Sequence, residues 1–156
     1  MTDDAVLAAV ADAAGLGRRG ERPRARKLLA DLWSSSGGED GDPLHRCALA
    51  HALADVQDDA HDAVAWDLRA LAAALSVTDE RVARAGMAGP AAALYPSLHL
   101  NLADGFRRIG DQDSAWTHVA AGRNSLAALP DDGYRQLIES GMDRISAELG
   151  PSHPGR

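Results

Sequence analysis

The side chains of this 156-residue chain with the widest chemistry are six histidines: His45, His51, His61, His99, His118 and His153. His51 and Asp55 are spaced i, i+4, which sets an imidazole and a carboxylate on one helix face. Such a pair could share a proton or offer two ligands to a metal. A structural zinc site needs four ligands, and the His-Glu-x-x-His pattern of a catalytic zinc helix is absent. His51 is therefore expected to be a polar histidine hydrogen-bonded to an aspartate, and no metal is assigned. His99 is expected to be half-buried at a helix junction rather than a ligand. Asp104 and Arg108 repeat the i, i+4 spacing with the acid first, the favourable order for a helix-surface ion pair. The only cysteine, Cys47, permits neither a disulfide nor a cysteine zinc site within one chain. It is expected to be a small packed residue, not a nucleophile. Neither a glycine-rich phosphate loop nor Gly-x-Ser-x-Gly occurs. No catalytic residue and no cofactor are assigned.

The elements that must position these groups are helices. Alanine is abundant and aromatic residues make up only 4% of the chain, which suits closely packed helices and not sheets. The length suits one domain, expected over residues 1–150, followed by a short disordered tail over 151–156. The net charge of −7 argues against nucleic acid as a partner. The one dense basic run (Arg18, Arg19, Arg22, Arg24, Arg26 and Lys27) is expected to be a solvated turn and helix face. No apolar run approaches the roughly 18 residues of a membrane span. The acidic start, Met-Thr-Asp-Asp, is unlike the basic start of a signal peptide. With one cysteine, the cytoplasm is the expected compartment. Lys27 stands alone beside fifteen arginines, a bias expected of a GC-rich bacterial genome such as an actinobacterium's.

Apolar spacing, caps and breakers place the helices. The first is expected from about Asp3 to Gly15, with Gly15, Gly17 and Gly20 breaking it. Pro23 opens a second, and Ser34 to Asp42 reads as a flexible loop. Pro43 opens a third helix with Leu49, Leu53 and Val56 inward, and Ala63, Trp66 and Ala70 follow on a fourth. Thr78 caps a short helix to about Ala85. Pro96 starts a helix with Leu98, Leu102 and Phe106 inward. Its hairpin partner is expected from Asp113 to about Leu129. Asp131 or Asp132 caps a last helix that stops at Gly150-Pro151. Trp33, Trp66 and Trp116 are expected to pack between helices.

Three segments share one order: a helix, a polar turn, then alanine early in the next helix. The turns are Gly20-Glu21, Asp58-Asp59 and Gly110-Asp111; the alanines are Ala25, Ala63 and Ala115. In the third, Leu102, Ala103, Phe106, Gly110, Asp111, Ala115, Val119 and Gly122 follow the pattern of the tetratricopeptide repeat (TPR), which the chain resembles. The second segment matches less well. The first is weakest, because Asp12 falls at the leucine position. Ala25 and Ala63 are 38 residues apart, Ala63 and Ala115 are 52 apart, and a TPR repeats about every 34. The resemblance thus implies an all-α stack of about three hairpins, with an insertion over 78–95 and a C-terminal capping helix.

It also implies a non-catalytic adaptor that binds a protein or peptide in a concave groove. The groove positions carried over are His51, Asp55, Ser97, Leu100, Asn101, Asp104, Arg107 and Arg108. The alternative is a small helical enzyme or small-molecule binder. Its pocket would lie between the insertion and the third hairpin, rimmed by Tyr95 and His99. Self-association through an edge hairpin is a third reading, making a homo-oligomer.

Overall fold

The computed structural model describes residues 4–151, which form eight α-helices and no strand. They are α1 (Ala5–Arg18), α2 (Arg22–Ser35), α3 (Pro43–Asp55), α4 (Ala60–Ala74), α5 (Asp79–Arg84), α6 (Tyr95–Arg108), α7 (Gln112–Ser125) and α8 (Gly133–Leu149). Asp4, Asp42, Asp59, Thr78, Asp111 and Asp132 accept hydrogen bonds from the first-turn amides of α1, α3, α4, α5, α7 and α8. His153 and most of the expected tail, residues 152–156, lie outside the described residues. No described helix is long and apolar enough to cross a membrane.

The chain divides into two compact units at about residue 91. In the first, α1 and α2 form a hairpin, α3 packs on both of them, and α4 pairs with α3. Its core gathers Val10, Ala13, Ala25, Leu29, Leu49, Leu53 and Val56. In the second, α6 and α7 form a hairpin and α8 packs on both. Val119, Ile138, Met142, Ile145 and Leu149 are central to that core. The relation of α3 to its hairpin thus recurs as the relation of α8 to the other.

The turns of these two hairpins share their main backbone bonds. Glu21 donates its amide to the Leu16 carbonyl (3.0 Å), and Asp111 to that of Phe106 (2.9 Å). Gly20 and Gly110 are left-handed at φ 93° and 84° and donate to Gly17 and Arg107. Ala25 and Ala115 are both wholly buried. Each of these pairs is 90 residues apart. The hairpin weakest in sequence therefore has the same turn as the strongest. The α3–α4 turn differs, lacking a left-handed glycine.

Three expected boundaries move. α1 does not stop at Gly15 but runs on through Gly17, because Gly17 is where α1 meets its neighbours. A β-carbon there would lie 3.0 Å from a Val56 methyl and 3.6 Å from Ala25 Cβ. Ser34 to Asp42 includes the last two residues of α2 and a 3₁₀ turn at Gly38–Asp40. α7 ends at Ser125 and passes into a 3₁₀ turn, Leu126–Ala128. The short α5 is tied down by charge. Arg81 bonds Asp42 through Nε and Asp4 through Nη2, both at 2.9 Å, while His45 Nε2 lies 2.8 Å from Asp4 Oδ2.

Two predictions follow from these contacts. At Gly122, on α7, a β-carbon would collide with Met142 Cε and come within 3.2 Å of His99 Cβ. Gly122→Leu is expected to lower stability by about 1–3 kcal/mol, read as a lower urea midpoint at unchanged m; an unchanged midpoint would refute the close approach. Burial alone would raise the Asp4 carboxyl, but hydrogen bonds from His45, Arg81 and the Leu7 amide outweigh it and hold it well below the ordinary carboxylate range. Its contribution is therefore present above about pH 4 and lost as pH falls. Arg81→Met is expected to cost about 1–3 kcal/mol at pH 7, with the gap to the natural chain narrowing below pH 4. A gap that stays constant down to pH 2 would contradict this.

Candidate functional site

The expected groove residues fall in both units, and each set has its own surroundings. On α3, His51 bonds across to α4. Its Nδ1 lies 3.3 Å from Oδ1 of Asp67 on α4. Asp67 is 4% exposed and is the only buried charged residue among those described. A buried carboxylate needs partners, and His51 supplies one. Burial would lower the His51 imidazole, but the Asp67 hydrogen bond and the charges of Asp55 and Asp67 prevail and raise it. Four residues before His51, burial and the Asp67 charge push the Cys47 thiol up to about 12. Cys47 is thus a protonated, packed thiol near neutral pH, without the thiolate a nucleophile needs.

Asp55 is exposed at the last turn of α3 and borders a pocket of about 170 Å³ lined also by Ala14, Gly17, Arg18, Arg22, Ala52 and Val56. The basic run beside it is not simply solvated. Arg22 bonds the carbonyls of Asp55 (3.0 Å) and Gln57 (2.9 Å). Arg26 bonds the Val56 carbonyl twice, at 3.0 and 2.8 Å. These are carbonyls at the end of α3, where a helix terminus carries partial negative charge and favours cations. Two of the six basic residues therefore hold the α1–α2 hairpin to α3.

On α6, the expected Asp104–Arg108 pair is replaced by Asp104–Arg107, spaced i, i+3 at 2.8 Å. Arg107 also reaches Glu148 of α8 at 3.0 Å, so it clamps α6 to α8. Leu100 lies over Gly141 of α8, where a β-carbon would meet its methyl groups at 3.0 Å, and it packs on the core. Ser97 and Asn101 are half-buried, and Arg108 is exposed with no ion pair among the described residues. Tyr95 and His99, the expected pocket rim, present near-parallel rings with centroids 6.2 Å apart. His99 continues to His118 on α7, their Nδ1 atoms 3.0 Å apart.

The tryptophans pack as expected. Trp33 and Trp66 meet edge to face at 5.2 Å, Arg69 lies over Trp66, and Trp116 packs on the second core. Among the described residues, no group of three or more His, Cys, Asp or Glu side chains is placed to hold a metal. The sequence reading missed Asp67, His118 and Arg81. Asp67 had a signal: it sits on the inward stripe of Ala63, Ala70 and Ala74, where a charge is out of place. His118 had none, being 19 residues from His99. No family model, curated protein or solved structure matches this chain.

The His51–Asp67 bond gives a signed prediction. A histidine raised in the folded state stabilises most below its unfolded value of about 6.5, and the benefit disappears as pH rises through the folded value. The stability difference between the natural chain and His51→Gln should be largest near pH 6 and smallest near pH 8. Equal differences at both, by urea denaturation, would show that the imidazole's charge does not contribute.

Proposed function

We propose that this chain is a TPR-like helical-repeat adaptor, without catalysis, that holds a segment of another protein. The observation that carries the reading is the duplicated hairpin: shared backbone turn bonds 90 residues apart, a wholly buried alanine after each turn, and a further helix on each pair. A repeated helical unit stacked on its neighbours is the plan by which helical-repeat proteins build extended binding surfaces. The cytoplasm of a bacterium is the setting this reading favours.

The proposed surface is smaller than the sequence reading drew it. His51 is committed to Asp67, Arg107 to Asp104 and Glu148, and Leu100 to Gly141. That leaves Ser97 and Arg108 on α6 as the partner-facing set, with Asp104 beside them. In the first unit, Asp55 beside its pocket on α3 is a separate candidate contact. Polar groups of this kind fix the register of a bound segment more than they add affinity.

The test is capture from extract of the native host by the immobilised chain, beside Arg108→Glu and Asp55→Lys. Arg108 is exposed, so with Arg108→Glu thermal stability should hold within about 0.5 kcal/mol. The expected result is a specific protein retained by the natural chain and weakened at least about tenfold by Arg108→Glu. A partner indifferent to both substitutions would move the site elsewhere; none retained by the folded chain would contradict the adaptor reading.

A further inference from the structure

His99 and His118 meet in a way that allows few protonation states. Their Nδ1 atoms are 3.0 Å apart and their ring centroids 5.2 Å apart, with the planes inclined at 30°. The difference between the two distances is close to twice the centroid-to-nitrogen radius of an imidazole. The rings therefore meet end to end, nitrogen to nitrogen, and one hydrogen fits between them.

One imidazole must donate Nδ1–H and the other accept at Nδ1. When both are neutral, the donor's Nε2 is bare and the acceptor carries its hydrogen on Nε2. A first added proton goes to the donor's bare Nε2. The N–H···N bond remains and becomes charge-assisted. A second added proton can go only to the acceptor's Nδ1. Two N–H groups would then face each other between two cations, and the bond is lost.

We propose that the His99–His118 pair is an acid-opened latch between α6 and α7, closed with none or one added proton and open with two.

The surroundings suit this. Phe106 lies parallel to His118 (5.5 Å between centroids, 5°) and Tyr95 flanks His99, so both rings are held on their faces. Several charges on the packed helices pair with one another, and Asp111 at the start of α7 bonds Ser114. On α6, Asp104 is bonded to Arg107; from α8, Glu148 pairs with Arg107, Glu139 with Arg135, and Asp143 with Arg123 of α7. Among the described residues, no carboxylate is hydrogen-bonded to either ring to stabilise a cation there. Burial lowers both imidazoles, and the charge of His118 adds to the effect on His99. Stability from the neutral pair is therefore full above about pH 6.5 and falls as pH drops through the folded values. That sign is opposite to His51's in the first unit. The two protons titrate as a pair, in two macroscopic steps.

Nitrogen-15 NMR of the whole chain tests this without any partner, so it stands or falls separately from the adaptor reading. Near pH 7.5 the expected result is one Nδ1–H and one Nε2–H tautomer, with a scalar coupling between the two Nδ1 nuclei. On acidification the coupling should survive the first proton and disappear with the second, and protection factors of the α7 amides should then fall about tenfold. Two Nε2–H tautomers with no coupling would overturn the proposal. His118→Phe keeps a flat ring against Phe106 and removes the bond; its α7 protection should depend on pH between 7.5 and 5 less steeply than the natural chain's, with only the burial of His99 remaining. Dependence equal to the natural chain's would also overturn it. If that variant does not fold, the tautomers and coupling of the natural chain decide.

Discussion

Each unit depends on helices meeting where a side chain is missing. Gly17 lets α1 approach Val56 at the end of α3, and Gly122 lets α7 approach Met142 of α8. Interiors are packed to the density of organic crystals, so a single added methyl at such a point must displace something. The alanines after the two glycine turns, Ala25 and Ala115, have no exposed surface. With few aromatic rings to fill space, the chain gains its core by bringing backbones close.

Close approach leaves the helix ends to be satisfied by charge. Arg22 and Arg26 bond carbonyls at the end of α3, and Arg81 joins the aspartates that cap α1 and α3. In the second unit Arg107 links α6 to α8. Much of what looks like a binding surface in a list of charged residues is thus structural bonding. His51 and Arg107 hold helices together, and the charge of Arg108 is left for solvent or a partner. The two histidine sites divide in the same way: one favours the protonated imidazole because a buried carboxylate faces it, the other favours the neutral form because only another imidazole does.

The helices were largely legible in the sequence because their signals are local. Pro43, Thr78, Pro96 and Asp132 mark starts that the structure keeps, and Gly150 marks a stop. Gly17 misled because a glycine that breaks an isolated helix also permits contact between two, and only the neighbour decides which. The likeness of the first hairpin to the third was hidden by Asp12 at an expected leucine position, although the turn itself carries the repeat. Spacing correctly put Asp104 on a helix face with two arginines. It could not choose between them, since Glu148 on α8 is what draws Arg107 inward. The His99–His118 bond joins residues whose separation carries no period at all.

Residues 15–25 and 105–115 repeat one turn, with a buried alanine after each. A crystal structure of the chain tests this most directly, by superposing the two segments on their backbone atoms. The account predicts agreement within about 1 Å, left-handed glycines at Gly20 and Gly110, and Ala25 and Ala115 at the hairpin crossings. Turns of different type, or a crossing displaced from either alanine, would contradict it.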